Sequence, residues 1–179
     1  MISKLKEIEG HIPALIKDSA LWNGYNLEFG VPRIEQISMK YDENCLLAFH
    51  VLHPAEVTLF HKHCWTGAFK ILSGSYEMGV SLLEEEVTSY EQALCLPTAA
   101  KLILNDGTYY EMTYTHGLHY VKPIGKPVLS LMLLGEAYPE QRSKPPENDL
   151  LVPLSETRKL EILSWVNTAI STQREKREY

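Results

Sequence analysis

Ten short runs of apolar or alternating residues follow one another between residues 34 and 134, separated by turn-forming residues such as Ser73-Gly74 and the Asn-Asp-Gly of 105–107. The runs are 34–41, 45–52, 57–63, 69–72, 76–83, 89–96, 101–104, 108–114, 118–121 and 128–134. Many short strands at this spacing indicate an all-β sandwich or barrel and not βαβ units. The sequence therefore predicts an all-β fold.

Helical spacing of apolar residues is found at the two ends of the chain. Over residues 1–20 the pattern is interrupted by Gly10 and Pro13, which predicts a kink or two short helices. Residues 139–153 form a connection rich in proline and charge, and a helix capped by Ser155 follows, with residues 173–179 expected to fray. Its apolar stripe comprises Leu160, Leu163, Val166, Ala169 and Ile170. We expect one domain over 1–179: a helical arm (1–20), a β region (about 34–134), and a connection and C-terminal helix (139–179).

Charge and cysteine content limit the classes of partner and compartment. The net charge is −6, and an acidic protein is a poor candidate for binding nucleic acid or an anionic membrane. No apolar run approaches the length of a membrane span, and the N-terminus lacks the apolar core of a secretion signal. Three widely spaced cysteines, Cys45, Cys64 and Cys95, suggest free thiols. A cytoplasmic protein is the simplest interpretation.

His61 and His63 stand two positions apart in the run 57–63. Because alternate residues of a strand point to the same face, they would share a face with Val57 and Leu59. An apolar face that ends in two histidines fits a barrel interior with a metal at its mouth, since neutral imidazoles suit Fe, Zn, Cu and Ni. The alternative is a pair of hydrogen-bonded or exposed histidines at the end of a strand.

Two segments resemble the metal-binding motifs of the cupin superfamily. The pair His61 and His63 is followed by a short strand and glycine turn at 69–74 (Phe-Lys-Ile-Leu-Ser-Gly), and residues 117–119 read Gly-Leu-His. The resemblance implies a cupin-type β-barrel, or jelly roll, with N-terminal and C-terminal helices. The position of the family's glutamate ligand is Gly67 here. This narrows the resemblance to cupins with three histidines, the cysteine dioxygenase-like thiol dioxygenases.

The resemblance implies an oxidoreductase that holds one Fe(II) with His61, His63 and His119; Zn, Mn and Ni are the other candidate metals. Such an enzyme oxidises a small, cysteine-like thiol to a sulfinate with O2. Three neutral ligands leave the charge of the metal uncompensated, so an anionic thiolate would bind well. Arg33 is the candidate clamp for a substrate carboxylate, because a guanidinium matches it in shape. Lys40 is a competing candidate, and a plain surface arginine is the alternative interpretation of Arg33. Ser130 is the candidate residue for orienting a nearby polar group.

The sequence departs from the family pattern on the strand that carries Ser130. Met132 and Leu134 take the positions of the family's histidine and tyrosine, which points to a changed chemistry or substrate. A tyrosine elsewhere could stand in for the missing one; the candidates are Tyr76, Tyr109, Tyr110, Tyr114 and Tyr120. His116 could replace His119 as a ligand, although strand geometry and the Gly-Leu-His match favour His119.

Two other functions remain open. The first is a different metal-dependent cupin enzyme, either a carbon dioxygenase or a lyase or isomerase that uses its metal as a Lewis acid. The second is a non-enzymatic cupin that binds a small molecule. The expected partners are a small-molecule substrate and O2, and analogy with cupins suggests a homodimer. We interpret His50 and His53 as core or rim residues.

Overall fold

The computed structural model describes residues 1–27, 32–62, 65–81, 90–112, 118–137 and 151–176. Its helices are α1 (Ile2–Glu9), α2 (Ile12–Leu15), α3 (Tyr90–Cys95) and α4 (Glu156–Glu175), with a 3-10 turn at Ser19–Leu21. Its strands are β1 (Asn23–Leu27), β2 (Ile34–Lys40), β3 (Leu46–Leu52), β4 (Trp65–Ser73), β5 (Ser75–Ser81), β6 (Ala100–Asn105), β7 (Tyr109–Met112), β8 (Leu118–Pro123), β9 (Val128–Ala137) and β10 (Leu151–Pro153). Within this described part, no helix is long and apolar enough to cross a membrane.

The strands form two antiparallel sheets that pack against each other. The larger sheet has the order β10-β1-β2-β3-β9-β4-β7, and the smaller has the order β6-β5-β8. One buried apolar cluster joins Leu52 and Val128 of the larger sheet to Tyr76, Met78 and Val121 of the smaller. The all-β prediction is therefore confirmed at the level of two antiparallel sheets with a few helices.

The larger sheet has two faces with different coverings. On β3, Leu47, Phe49 and Val51 lie in the cluster formed with the terminal helices, and we call this side the outer face. Ala48 and Leu52 lie in clusters on the opposite side, the inner face, which the smaller sheet covers. The alternation follows from the two-residue period of a strand.

The terminal helices bear out part of the sequence prediction. The arm consists of two short helices, and Pro13 lies in the first turn of α2, where a missing N–H costs nothing. The hydroxyl of Ser155 accepts a hydrogen bond from the backbone N–H of Arg158 at 3.1 Å, as predicted for the N-cap. Leu160 was wrongly placed in the buried stripe, because it is 52% exposed.

The prediction that the C-terminal end frays is wrong for residues 173–175. The helix α4 runs to Glu175, and Gln173 is buried. The side-chain amide of Gln173 donates to the carbonyls of Ile71 and Leu72 at 3.1 and 2.8 Å. These contacts with β4 fix the last turns of the helix, which a polar sequence alone does not reveal. Residues 177–179 lie outside the described part.

Within the described residues, eight of the ten predicted runs contain strands, and two do not. The run 89–96 forms α3 from residue 90, where Glu91, Gln92 and Ala93 are good helix formers. In the run 57–63, residues 57–60 are not in a strand and His61 forms only an isolated bridge. Val57 is 52% exposed and so does not share a buried face with His61. The predicted positions 63, 82–83, 89 and 113–114 lie outside the described residues.

Two strands were missed, β1 and the edge strand β10. Strand β1 has the sequence Asn-Gly-Tyr-Asn-Leu, which is poor in strand formers, and it is held between β2 and β10. Strand β10 has only three residues and lies at the end of the predicted connection 139–153; residues 138–150 are outside the described part. Its Pro153 is tolerated because an edge strand leaves one side unpaired.

Candidate metal centre

His61 and His119 are neighbours across an antiparallel bridge. The backbone N–H of His61 donates to the carbonyl of His119 at 2.9 Å, and the reverse hydrogen bond is 3.1 Å long. The centroids of the two imidazole rings are 4.3 Å apart. The structure thus brings together two of the three predicted ligands, although they lie far apart in the sequence.

Burial favours the neutral form of both imidazoles. Burial lowers the pKa of His61 and lowers that of His119 well below its ordinary value, and the neighbouring His61 lowers the pKa of His119 further. The Nδ1 of His61 lies 3.2 Å from the carbonyl oxygen of Leu59, and a carbonyl can only accept, so Nδ1 carries the proton. The Nε2 of His61 is then left with a lone pair. A ring nitrogen that donates to a backbone carbonyl is the usual arrangement of a metal-binding histidine.

The other predicted or alternative ligands, His63 and His116, lie outside the described residues. Among the residues that are described, no three histidine, cysteine or carboxylate side chains surround one point. The ligand set of His61, His63 and His119 therefore stays a prediction, of which the pairing of His61 with His119 is the observed part.

The smaller sheet positions His119. In β8, His119 pairs with Val80 of β5, and Val121 pairs with Met78. Because Val121 packs with Leu52 in the cluster between the sheets, His119 on the same face of β8 also points toward that space. Only 3% of its surface is exposed.

Gly67, which the sequence resemblance places at the position of the cupin glutamate ligand, lies close to two side chains. A Cβ atom on Gly67 would lie 3.0 Å from Cε2 of Phe69 and 3.2 Å from Cδ2 of Leu134. Leu134 and Met132 are buried in an apolar cluster on the inner face together with Phe69. Met132 and Leu134 thus give this part of the inner face an apolar surface.

Ser130 lies on the inner face, in register with His50 of β3 and Ile71 of β4. It is buried, and its neighbour His50 lies 2.8 Å, through Nε2, from Oε1 of Gln36. Sequence reasoning took His50 for a core or rim residue and gave no role to Gln36. The register of β2 with β3 places Gln36 opposite His50 and could have revealed the pair. That register follows from the strand pairing, which the sequence alone does not give.

The tyrosines are divided between the two sides of the sheets. Tyr76 and Tyr110 meet between the sheets, where the hydroxyl of Tyr76 donates to that of Tyr110. Tyr109 points to the outer face and donates to Glu9, and Tyr120 donates to Glu77 at 2.6 Å. Tyr114 lies outside the described residues. Of the tyrosines considered from the sequence, Tyr76 and Tyr110 are therefore the ones observed inside.

Arg33 lines a pocket near the start of α4. It is 60% exposed, and its guanidinium is 3.4 Å from Oδ1 of Asn26 and 3.6 Å from Oε1 of Glu35. A pocket of roughly 390 Å³ is lined by Asn26, Arg33, Glu35, His53, Pro153, Leu154, Ser155 and Arg158. Neither His61 nor His119 lines it. The carboxylate-clamp role of Arg33 stays a prediction.

Comparisons with known proteins give structural likenesses but no sequence relative. No protein-family model matches the chain, and no curated protein sequence matches it. An RmlC-like cupin from Shewanella frigidimarina is 8% identical with a TM-score of 0.42, over 60% of this chain and 79% of that one. KdgF from Halomonas sp. is 12% identical with a TM-score of 0.43, over 60% and 82% of the two chains. The cupin domain of Cnp3 from Schizosaccharomyces pombe is 15% identical with a TM-score of 0.41, over 57% and 60%. Likenesses with TM-scores below 0.5 do not by themselves assign a family or an activity to this chain.

Proposed function

We propose that this chain is a cupin-type Fe(II) enzyme that oxidises a small thiol to a sulfinate with O2, with His61, His63 and His119 as metal ligands. The observation that carries the proposal is the juxtaposition of His61 and His119, with ring centroids 4.3 Å apart and both rings neutral. The cupin barrel and the choice of a thiol as substrate come from the sequence resemblance.

The donor set of the described residues fits a transition metal. Two adjacent neutral imidazoles are suitable ligands, and the contact of Nδ1 of His61 with the carbonyl of Leu59 is usual for a metal-binding histidine. When bound, Fe(II) supplies the oxidation chemistry by which the thiol sulfur gives up electrons and both atoms of O2 end on sulfur. Zn, Mn or Ni would fit the same nitrogen donors.

The chain's own residues would bind the substrate and exclude water. The buried apolar side chains of Met132, Leu134 and Phe69 keep part of the inner face dry. Ser130 offers a hydroxyl on the same face, which supports its proposed role of orienting a polar group. We keep Arg33 as the proposed carboxylate clamp, on the strength of the resemblance and of its exposed guanidinium.

Met132 and Leu134 favour a second candidate. Because they place no hydroxyl or imidazole where the thiol dioxygenases have both, another metal-dependent cupin reaction, such as a carbon dioxygenase, lyase or isomerase reaction, is the alternative. A metal-free barrel that only binds a small molecule is the remaining alternative. A homodimer stays a proposal by analogy.

The first experiment measures metal content in wild type beside His61→Ala, His119→Ala and His11→Ala. His11 is exposed in the N-terminal arm and provides a matched histidine control. We expect stoichiometric iron in wild type and His11→Ala after loading with Fe(II), and its loss in the other two variants. Oxygen uptake with a panel of small thiols, and mass spectrometry of the products, then tests the reaction.

Each outcome decides between the candidate functions. Thiol-dependent oxygen uptake with a sulfinate product supports the dioxygenase. Metal binding that depends on His61, without turnover of any thiol, replaces the thiol dioxygenase reaction with another metal-dependent reaction. Failure of wild type to bind any of the four metals would overturn the ligand assignment and leave a binding protein.

A further inference from the structure

His50 is a histidine between the two sheets to which the proposed reaction gives no role. It lies on the inner face of β3, between Gln36 of β2 and Ser130 of β9 in the strand register. Its Nε2 is 2.8 Å from the side-chain carbonyl oxygen of Gln36. That oxygen can only accept a hydrogen bond, so Nε2 of His50 carries the proton.

A second hydrogen bond joins Gln36 to Ser38. The amide nitrogen of Gln36 donates to Oγ of Ser38 at 3.3 Å, and its carbonyl oxygen is the atom beside His50. With this carbonyl as its partner, His50 has the tautomer protonated on Nε2. In this tautomer Nδ1 has a lone pair and acts as an acceptor.

The Nδ1 of His50 is available to a ligand. Within the described part of the chain, no group donates a hydrogen bond to it, and it is not one of the fully enclosed polar atoms without a partner. Gln36 and His50 keep part of their surface exposed although the smaller sheet covers this face. Part of both residues is therefore accessible to water.

We propose that His50, held by Gln36 and facing Ser130, is a second binding subsite of the space between the sheets, where Nδ1 accepts a hydrogen bond from an uncharged hydroxyl or amide group of the ligand. The inference deepens the proposed function and rests on it for the position of the ligand's sulfur end. His50 acts as a ligand-binding residue, and Gln36 as the residue that positions it.

The neutral state of His50 selects the chemical class of the ligand. Burial lowers the pKa of His50 to about 4, so the ring is uncharged near neutral pH. An uncharged acceptor beside the hydroxyl of Ser130 offers hydrogen bonds but no ion pair. A neutral donor such as an alcohol is matched there, whereas a carboxylate would bring a second acceptor to an acceptor.

His119 and His50 both lie on the side where the two sheets face each other. His119 is two residues from Val121 along β8, and Val121 lies in one cluster with Leu52, two residues from His50 along β3. The distance between the imidazoles of His50 and His119 depends on the direction of each side chain, so the test uses ligands of several lengths.

The experiment compares mercapto-alcohols with alkanethiols of the same number of heavy atoms. Oxygen uptake by the Fe(II)-loaded protein is measured for 2-mercaptoethanol, 3-mercapto-1-propanol and 4-mercapto-1-butanol, each against the thiol that has methyl in place of hydroxyl. We expect wild type to prefer the alcohol by about fivefold in kcat/KM at one chain length, the effect of one neutral hydrogen bond. His50→Leu should bring this ratio close to one, and His50→Asn, which keeps an acceptor, should retain part of it. His11→Leu should keep the wild-type ratio.

Binding is measured separately on the Zn(II)-loaded protein, so that turnover is not needed. The 15N resonance of Nδ1 of His50 should have the shift of an unprotonated nitrogen and should move on adding the alcohol but not its alkanethiol partner. Such a shift without oxygen uptake upholds the subsite and overturns the dioxygenase. Uptake with equal rates for alcohol and alkanethiol, and no shift of Nδ1, upholds the dioxygenase and overturns the subsite. If Nδ1 proves to be the protonated nitrogen, the subsite is also overturned.

Discussion

The two faces of the larger sheet bury polar groups in different ways. On the outer face, Lys70 pairs with Glu9 of α1 at 2.5 Å, and Glu35 accepts hydrogen bonds from Arg158 of α4 at 2.9 and 2.8 Å. On the inner face, the hydrogen bond between His50 and Gln36 joins neutral groups. Charged pairs thus attach the helices to the sheet, whereas neutral hydrogen bonds line the side that faces His119.

The difference has a physical reason. A buried charge is tolerated when a partner of opposite charge is fixed beside it, and helices that pack permanently on a sheet provide such partners. A space that binds a metal and a ligand must instead keep its own side chains uncharged, because an unpaired charge there would be desolvated whenever the ligand is absent. The charge in such a space would be supplied by the metal and by the ligand.

The largest effect is expected from breaking the pair of Lys70 and Glu9. Lys70 is fully buried, so Glu9→Leu leaves an ammonium group without its carboxylate and should lower the free energy of unfolding by about 3 to 5 kcal/mol. Tyr109 also loses its acceptor in this variant. Urea denaturation monitored by tryptophan fluorescence measures the change.

The control for this pair is the double variant Glu9→Leu with Lys70→Met. Because two apolar side chains of similar volume leave no uncompensated charge, it should recover much of the stability lost by Glu9→Leu alone. Equal stability of the single and double variants would contradict the assignment of the cost to the unpaired lysine.

A smaller effect, dependent on pH, is expected at Glu35. Hydrogen bonding by Arg158, and then by His53, lowers the pKa of Glu35 to about 2. Since the unfolded state binds its proton more readily, the stability contributed by Glu35 is complete above about pH 5 and is lost as the pH falls toward 2. The stability gap between wild type and Glu35→Gln should therefore narrow by about 2 kcal/mol between pH 6 and pH 3.

The inner face supplies the control for this pH dependence. A phenol does not titrate between pH 3 and pH 6, so the stability gap between wild type and Tyr110→Phe should stay constant over that range. Urea denaturation at each pH gives both gaps. If the Glu35→Gln gap were equally constant, the lowered pKa of Glu35 would be wrong.

The smallest effect is expected for the neutral hydrogen bond between Tyr76 and Tyr110 on the inner face. Tyr110→Phe removes the acceptor of the Tyr76 hydroxyl and should cost about 1 kcal/mol of unfolding free energy. The double variant Tyr76→Phe with Tyr110→Phe leaves no hydroxyl unpaired and should cost no more than the single change. Thermal unfolding checks both, and a loss as large as that of Glu9→Leu would remove the distinction between the two faces.

The candidate site was predictable to the extent that its signals are local. His61 was found from its spacing to His63, and His119 from the Gly-Leu-His segment, and these two are neighbours in the structure. The expectation that Val57 shares a buried face with His61 was wrong, because residues 57–60 do not form a strand. His50 and Gln36 were not recognised as a pair, since nothing in either residue's own neighbourhood indicates the other.

The sequence by itself determined the succession of short strands, the break in the N-terminal arm at Gly10 and Pro13, and the N-cap at Ser155, because periodicity, backbone restriction and capping act within a few residues. Only the tertiary structure decided the pairing of β1 with β10 and the division of polar groups between the two faces. Strand pairing joins residues far apart in the chain, and the face that each side chain occupies depends on what covers the sheet. These contacts leave no periodic signal in the sequence.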